Sequence, residues 1–297
     1  MNPAALAWAR GYSKSHNRAL YADIKLDQKL DFITQGLKAT VRLGYDNFAA
    51  YWEGYTRGYE YASDAVKWAN GLPSDTTRFK GGATSNTSFS SSLDSQDRHY
   101  NIVGSIDYSK TFGNHSLYSS FIYSFDRQVY NGQHNTYNRQ NFALYNHYSY
   151  LNRYMADLTL MASGSNRLAP DHKYGFSPTL SAAWVISNEE FMRNATFIEF
   201  LKLRASAGIL NTDFIPVVGF WEQNFGGGNG YPMGGNYDWA NGTAEGRFPS
   251  SNISMEKAYK YNFGIDAAFL KGFTMSADAY YQKRKDIFIS TAGQASS

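Results

Sequence analysis

Apolar and polar residues alternate with a period of two along most of this chain, and the pattern predicts about ten β-strands. In the first, Leu20, Ala22, Ile24 and Leu26 share one face while Asp23, Lys25 and Asp27 share the other. The second sets Leu37, Ala39, Val41, Leu43 and Tyr45 against Lys38, Thr40, Arg42 and Asp46. Tyr100, Ile102, Ile106 and Tyr108 then oppose Asn101, Ser105 and Asp107, and Leu117, Phe121, Tyr123 and Phe125 return after a tight turn at Phe112-Gly113-Asn114-His115. Three more strands centre on Phe142, Leu144 and Tyr148, on Tyr154, Ala156, Leu158 and Leu160, and on Tyr174, Phe176, Leu180, Ala182, Trp184 and Ile186. The eighth sets Leu201, Leu203, Ala205, Ala207 and Ile209 against Lys202, Arg204, Ser206 and Gly208. The clearest alternation is the ninth, Tyr259, Tyr261, Phe263, Ile265, Ala267 and Phe269, followed through a Lys271-Gly272 turn by Phe273, Met275, Ala277, Ala279 and Tyr281.

The connections alternate in length. Short links follow the first, third, fifth and ninth strands, and a somewhat longer one after the seventh can hold a helical turn around Asn188 to Phe197. Long links, roughly Phe48 to Arg98 and Asn211 to Met255, follow the second and eighth strands and are rich in Gly, Ser, Thr, Asn and aromatics. Links of that length are uncommon in compact domains and usually carry function. Short turns at one end and long loops at the other is the layout of an outer-membrane barrel. A soluble β-sandwich alternates too. Strand length separates the two, since these strands often run to about 11 to 15 residues where soluble ones most often have about 5–6. Aromatics near strand ends, at Tyr45, Tyr100, Tyr108, Tyr148, Trp184, Phe269, Phe273 and Tyr281, fit the girdles of a membrane barrel.

Composition narrows the picture further. Aromatic residues make up 17% of the 297, and charged residues only 18%. The mean hydropathy of −0.49 and the lack of a long apolar run exclude a helical span. They leave a barrel open, since its strands are apolar only at every second position. No cysteine is present, which removes disulfides, thiolate metal sites and cysteine nucleophiles. The net charge of +3 is scattered and gives no nucleic-acid footprint. Met1 to Arg10 has no signal-peptide pattern, so an exported chain with this start is expected to be an internal segment, a mature form or a misplaced start.

Three segments, in order, resemble the SusC/RagA family of TonB-dependent outer-membrane transporters. The run Tyr174-Gly175-Phe176-Ser177-Pro178 leads through Ala182-Ala183-Trp184 to Ile186-Ser187-Asn188-Glu189. Leu201-Lys202-Leu203-Arg204-Ala205-Ser206-Ala207-Gly208 is similar to the next family strand, with Asn211 near its glycine-asparagine. Met255 to Ala267 and Ser276 to Ile287 complete the match, with Met255 where the family usually has tryptophan and Ala207 where it usually has tyrosine. The resemblance implies an all-β, antiparallel transmembrane barrel of about 22 strands, of which residues 1–297 supply about ten. It implies that the plug domain, the TonB-contacting N-terminal part and the final strands lie outside this stretch. It further implies uptake of oligosaccharides, glycans or peptides across the cell outer membrane, with TonB and a SusD-like lipoprotein as partners and lipid around the barrel. No cofactor is implied.

Candidate chemistry is sparse. The six histidines, His16, His99, His115, His134, His147 and His172, are too dispersed for a metal-ligand spacing and read as loop or turn residues. Gly226-Gly227-Gly228-Asn229-Gly230 lacks the following helix and Lys-Ser/Thr of a phosphate loop and reads as a flexible connector. The candidate ligand-binding residues are loop aromatics: Tyr51, Trp52, Tyr55, Tyr59 and Trp68 in one long loop, and Trp221, Tyr231, Tyr237 and Trp239 in the other. Rings with a polar tip stack on sugar or peptide faces and tolerate water. Asp23, Lys25, Arg42, Asp46, Asp157, Lys202, Arg204, Asp266 and Asp278 are expected to line a polar interior. Two rival functions stay open: a ten-stranded barrel enzyme, for which Asp97-Arg98-His99 is the one tight polar cluster, and a soluble carbohydrate-binding sandwich.

Overall fold

The alternating segments become strands because a pleated chain sends successive side chains to opposite faces, which sorts the apolar set from the polar one. The computed structural model describes residues 9–130, 136–214, 219–233, 235 and 238–289. In chain order the strands are β1 (Gly11–Lys29), β2 (Leu37–Thr56), β3 (Tyr61–Ala69), β4 (Leu72–Gly81), β5 (Ser88–Phe112), β6 (His115–Val129) and β7 (Thr136–Tyr150). They continue with β8 (Tyr154–Ser165), β9 (Tyr174–Val185), β10 (Ile198–Thr212), β11 (Phe225–Met233), β12 (Asp238–Glu245), β13 (Glu256–Phe269) and β14 (Phe273–Lys285). Ten of them form one sheet in the order β1-β2-β5-β6-β7-β8-β9-β10-β13-β14, so consecutive sheet strands are also neighbours in space. From β6 onward every pairing is antiparallel. All ten strands expected from alternation lie in this sheet, and the helical turn after β9 is two 3-10 turns, Ile186–Asn188 and Glu190–Met192.

The long links differ from expectation. β2 continues to Thr56 and β5 begins at Ser88, so much of the first supposed loop is strand. Its remainder holds the β3–β4 hairpin, closed by Asn70 (φ 53°) and Gly71 (φ 76°). The left-handed pair matches the twist of the flanking strands, as two-residue hairpin turns require. The second long link holds the β11–β12 hairpin, and its glycine run is part of β11, not a flexible connector. The β13–β14 turn spans Leu270 (φ 52°), Lys271 (φ 50°) and Gly272, so it contains the expected Lys271-Gly272 and one residue more.

Two compact units divide the chain. The described residues of the first are 9–21, 46–98 and 130; those of the second are 22–45, 99–129, 136–214, 219–233, 235 and 238–289. Among the described residues of the second unit nothing covers the apolar side of the sheet: Leu180 is 59% exposed and Phe263 54%. A sandwich would have buried both beneath a second layer. The buried cluster lies elsewhere, with Leu168 and Met255 packed against Phe220 and Ile253 in the segments joining β8 to β9 and β10 to β13. Among the described residues no helix is long and apolar enough to cross a membrane, which says nothing of crossing by strands.

Candidate ligand-facing surface and polar sheet face

Strand parity puts Asp23, Asp27, Lys38, Arg42, Asp107, Asp157, Arg204, Asp266 and Asp278 on the side opposite the apolar residues, and neighbouring strands bring them into registered networks. Arg42 on β2 donates through Nε to Asp23 Oδ2 on β1 at 2.8 Å. Asp27 accepts from Thr40 at 2.7 Å and meets the Lys38 ammonium at 2.8 Å. Asp107 gathers the hydroxyls of Ser120, Ser105 and Tyr118 at 2.6, 2.9 and 3.0 Å. Asp157 bonds His147 Nδ1 at 2.6 Å and accepts from Tyr145 and Ser181 at 3.0 Å each. These carboxylates hold their neighbours by hydrogen bonds as well as charge, which is what a half-hydrated wall needs to keep its polar groups satisfied.

The network around Arg204 depends on a missing side chain. Arg204 on β10 is in register with Gly264 on β13, and Gly264 with Asp278 on β14. Arg204 reaches past the middle strand, donating through Nη1 to Asp278 Oδ1 at 2.6 Å and Nη2 to Oδ2 at 2.8 Å, and through Nε to Asp266 at 3.1 Å. A Cβ on Gly264 would lie 2.5 Å from Arg204 Cζ, so any side chain there would push the guanidinium off this path. Sequence alternation placed Arg204, Asp266 and Asp278 on one face but could not show this row, because the row exists only in the register.

Two further anchors sit in the links between strands. After β9, Glu189 accepts from Tyr154 Oη at 2.6 Å, Trp184 Nε1 at 3.0 Å and Arg153 at 3.3 Å. The hydrogen bonds from Tyr154 and Trp184 hold its carboxyl below the usual value against the effect of burial. After β10, Asp213 is 5% exposed and accepts from Tyr137 Oη at 2.6 Å and Arg139 at 2.5 Å. Burial pushes its pKa up, but the Ser165 and Tyr137 hydroxyls and the Arg139 charge outweigh this and leave it lowered.

Aromatic rings collect at both ends of the sheet, beside the apolar face. Toward the short turns, Tyr150 and Tyr154 are 6.4 Å apart, Tyr154 and Trp184 6.3 Å, and Phe269 and Phe273 5.9 Å. Toward the long links, Tyr45 lies 5.1 Å from Tyr100 and Tyr261 6.3 Å from Tyr281.

The candidate ligand-binding aromatics fall in both compact units. Tyr51, Trp52 and Tyr55 belong to β2, not to a loop. Tyr51 and Trp52 line an open cleft of about 560 Å³ with His16, Arg18, Glu53 and Leu93, in which Arg18 lies 5.7 Å from the Tyr51 ring centre and His16 bonds Glu53 at 3.1 Å. Tyr55 packs edge-on to Tyr12 at 5.0 Å, and Tyr59 lies 6.2 Å from Tyr61. Trp68 stands exposed on β3 beside its turn. In the second unit, Trp221 is half-buried and Tyr231 exposed on β11. Trp239 on β12 is exposed and lies across Gly230, where a Cβ would meet its Nε1 at 2.3 Å. Tyr237 lies outside the described residues. The larger cleft, about 770 Å³, is lined instead by Phe220, Arg247, Phe248, Ile253, Asp286 and Phe288, and sequence reasoning missed it.

The histidines correct the loop reading. His16, His99, His115 and His147 lie on strands, three of them bonded to carboxylates; His172 is in a link, and His134 lies outside the described residues. No group of three or more metal-binding side chains occurs among the described residues. Asp97, Arg98 and His99 lie along β5, where alternation turns Arg98 away from the other two.

No family model matches the chain. A stretch of 146 residues, 47% of the chain, is 32% identical to the TonB-dependent receptor SusC of Bacteroides thetaiotaomicron. Over 141 residues it is 29% identical to the TonB-dependent receptor P39 of Formosa agariphila. Those stretches amount to 14% and 13% of the two relatives. The RagAB peptide transporter shares the fold with a TM-score of 0.67 at 12% identity, over 94% of this chain and 31% of that one. The RagAB peptide importer in a 'closed-closed' state gives 0.64. Over about half its length the chain is thus similar to TonB-dependent receptors; it shares the all-β antiparallel fold of the RagAB transporter and covers under a third of the RagAB chains.

Proposed function

We propose that these strands are part of the wall of an outer-membrane importer, with the apolar face against lipid and the charged face toward an enclosed pore. The observation that carries this reading is the uncovered apolar face beside a polar face whose charges satisfy one another. Such a division is stable where one side meets hydrocarbon and the other water or protein. The relatives are receptors rather than enzymes, and Asp97, Arg98 and His99 do not converge.

In this reading the parent transporter takes up oligosaccharides, glycans or peptides, powered by TonB and assisted by a SusD-like lipoprotein. The plug that TonB pulls packs against the networks of Arg42, Asp157 and Arg204. Trp52 with Tyr51 in the first unit, and Trp239 with Tyr231 in the second, each give an aromatic surface for ligand. The test is the full-length protein. It should fractionate with the outer membrane and change gel mobility on heating, and uptake of its nutrient should stop when TonB is deleted. A soluble product without heat-dependent mobility would exclude the reading. Trp52→Ala and Trp239→Ala should each weaken ligand binding by roughly tenfold, as loss of one stacked ring does, and unchanged affinity in both removes the aromatic surfaces.

A further inference from the structure

The outward side of β13 and β14 changes character one registered pair at a time. Ile265 lies opposite Ala277 and Phe263 opposite Ala279; next come Tyr261 opposite Tyr281, Tyr259 opposite Lys283, and Lys257 opposite Lys285. Alternate residues share a face, so these side chains form one column that runs from apolar through aromatic to basic. On the other face the strand ends are balanced, with Arg284 3.4 Å from Glu256. On the outward face the Lys285 ammonium lies 5.5 Å from the Tyr259 ring centre, and Lys257 meets Asp286 at 3.5 Å. Lys283 has no carboxylate partner among the described residues, so three lysines face one aspartate. β1 repeats the order independently: Lys14, His16 and Arg18 precede Leu20 on one strand face, with Tyr51 beneath Arg18.

We propose that Lys257, Lys283 and Lys285 bind the phosphorylated headgroup of an outer-leaflet glycolipid whose acyl chains lie along Phe263, Ile265 and Met275. The proposal rests on the apolar face meeting lipid. Tyrosines mark the headgroup level of a membrane barrel, and the lysines stand one step beyond them, where phosphates lie. Each Lys near an anionic lipid surface contributes a modest, salt-sensitive attraction, and three on one face act together.

The experiment uses the full-length transporter in detergent and compares retention of bisphosphorylated lipid A with that of the dephosphorylated lipid. In the triple variant Lys257→Gln/Lys283→Gln/Lys285→Gln, retention of the phosphorylated lipid should fall on the order of tenfold. The dephosphorylated lipid should be held as before, and a triple Lys→Arg variant should behave as the native protein. Unchanged retention, or equal loss of both lipids, overturns the headgroup site. Native protein that holds neither lipid and needs no detergent overturns the lipid-facing reading beneath it.

Discussion

Phe79 on β4 and Phe263 on β13 are almost equally exposed, at 57% and 54%, yet the surroundings of the two rings differ in kind. Phe263 sits in an alternating strand of a sheet whose opposite side carries Arg204, Asp266 and Asp278, so in the proposed wall its exposure is toward hydrocarbon. Phe79 belongs to a two-stranded hairpin in which β3 is exposed along its whole length and β4 nearly so, with Arg78 and Asp64 bonded at 2.7 Å on it. Exposure alone therefore says little about solvent. What separates the two regions is whether an uncovered apolar face is backed by an organised polar one, as a wall between two media requires.

The largest expected effect attacks this contrast directly. Phe263→Arg should destabilise the full-length protein in vesicles by roughly 2–4 kcal/mol, the cost of arginine near the bilayer midplane. Phe79→Arg should stay within about 0.5 kcal/mol, as at an ordinary exposed site. Urea unfolding from lipid vesicles, followed by tryptophan fluorescence, measures both; equal costs would break the comparison.

Gly264→Val tests the organised face itself. Its side chain would occupy the path of Arg204 to Asp278, and overpacking of this kind costs about 1–3 kcal/mol. In the hairpin an added Cβ at Gly71 meets no atom within 4 Å, so the cost of Gly71→Ala is confined to the backbone, roughly 1 kcal/mol. The same unfolding assay should rank Gly264→Val as the greater loss, and the opposite order would mean that the row across β10, β13 and β14 contributes nothing.

Asp213→Asn comes next, at about 1–2 kcal/mol, since it removes the charge facing Arg139 while keeping the shape. The pH dependence has a definite sign. The folded carboxyl is lowered, so its contribution is complete above the unfolded value near 3.8 and fades as pH falls through the lower folded value. Melting temperature of the native protein should therefore drop more steeply than that of Asp213→Asn as the pH is taken below about 4; parallel curves would show that Asp213 is not charged in the fold.

The same division explains what could be read from the sequence. Ten strands were legible because each has one face sorted from the other, as Tyr259 to Phe269 shows at its clearest. β3, β4, β11 and β12 were not, since strands that are mostly exposed on both faces leave no alternation to find. One signal was present and passed over: Asn70-Gly71 between Ala69 and Leu72 is a strong hairpin cue. The extension of β2 through Tyr51, Trp52 and Tyr55 was hidden for a related reason, because aromatics fill both parities there. Individual charges of the polar face were legible by parity, whereas Arg204 crossing Gly264 and the buried Tyr137–Asp213–Arg139 cluster depend on residues far apart in the chain.

The smallest effect belongs to the hairpin. Gly71 has φ 76°, a conformation that costs an L-residue roughly 1 kcal/mol, and a Cβ there meets nothing within 4 Å. Gly71→Ala therefore adds only the backbone term and no clash. Among the described residues β3 and β4 pair with each other and with no strand of the ten-stranded sheet, so this term weakens a local pairing without touching the sheet. Amide exchange at the paired positions, such as Ala65 with Thr77, should quicken by about fivefold, the equivalent of that 1 kcal/mol, while exchange in β13 stays unchanged. Faster exchange in both regions would show that the hairpin and the sheet open as one cooperative unit, and the contrast between them would then lie in surface chemistry alone.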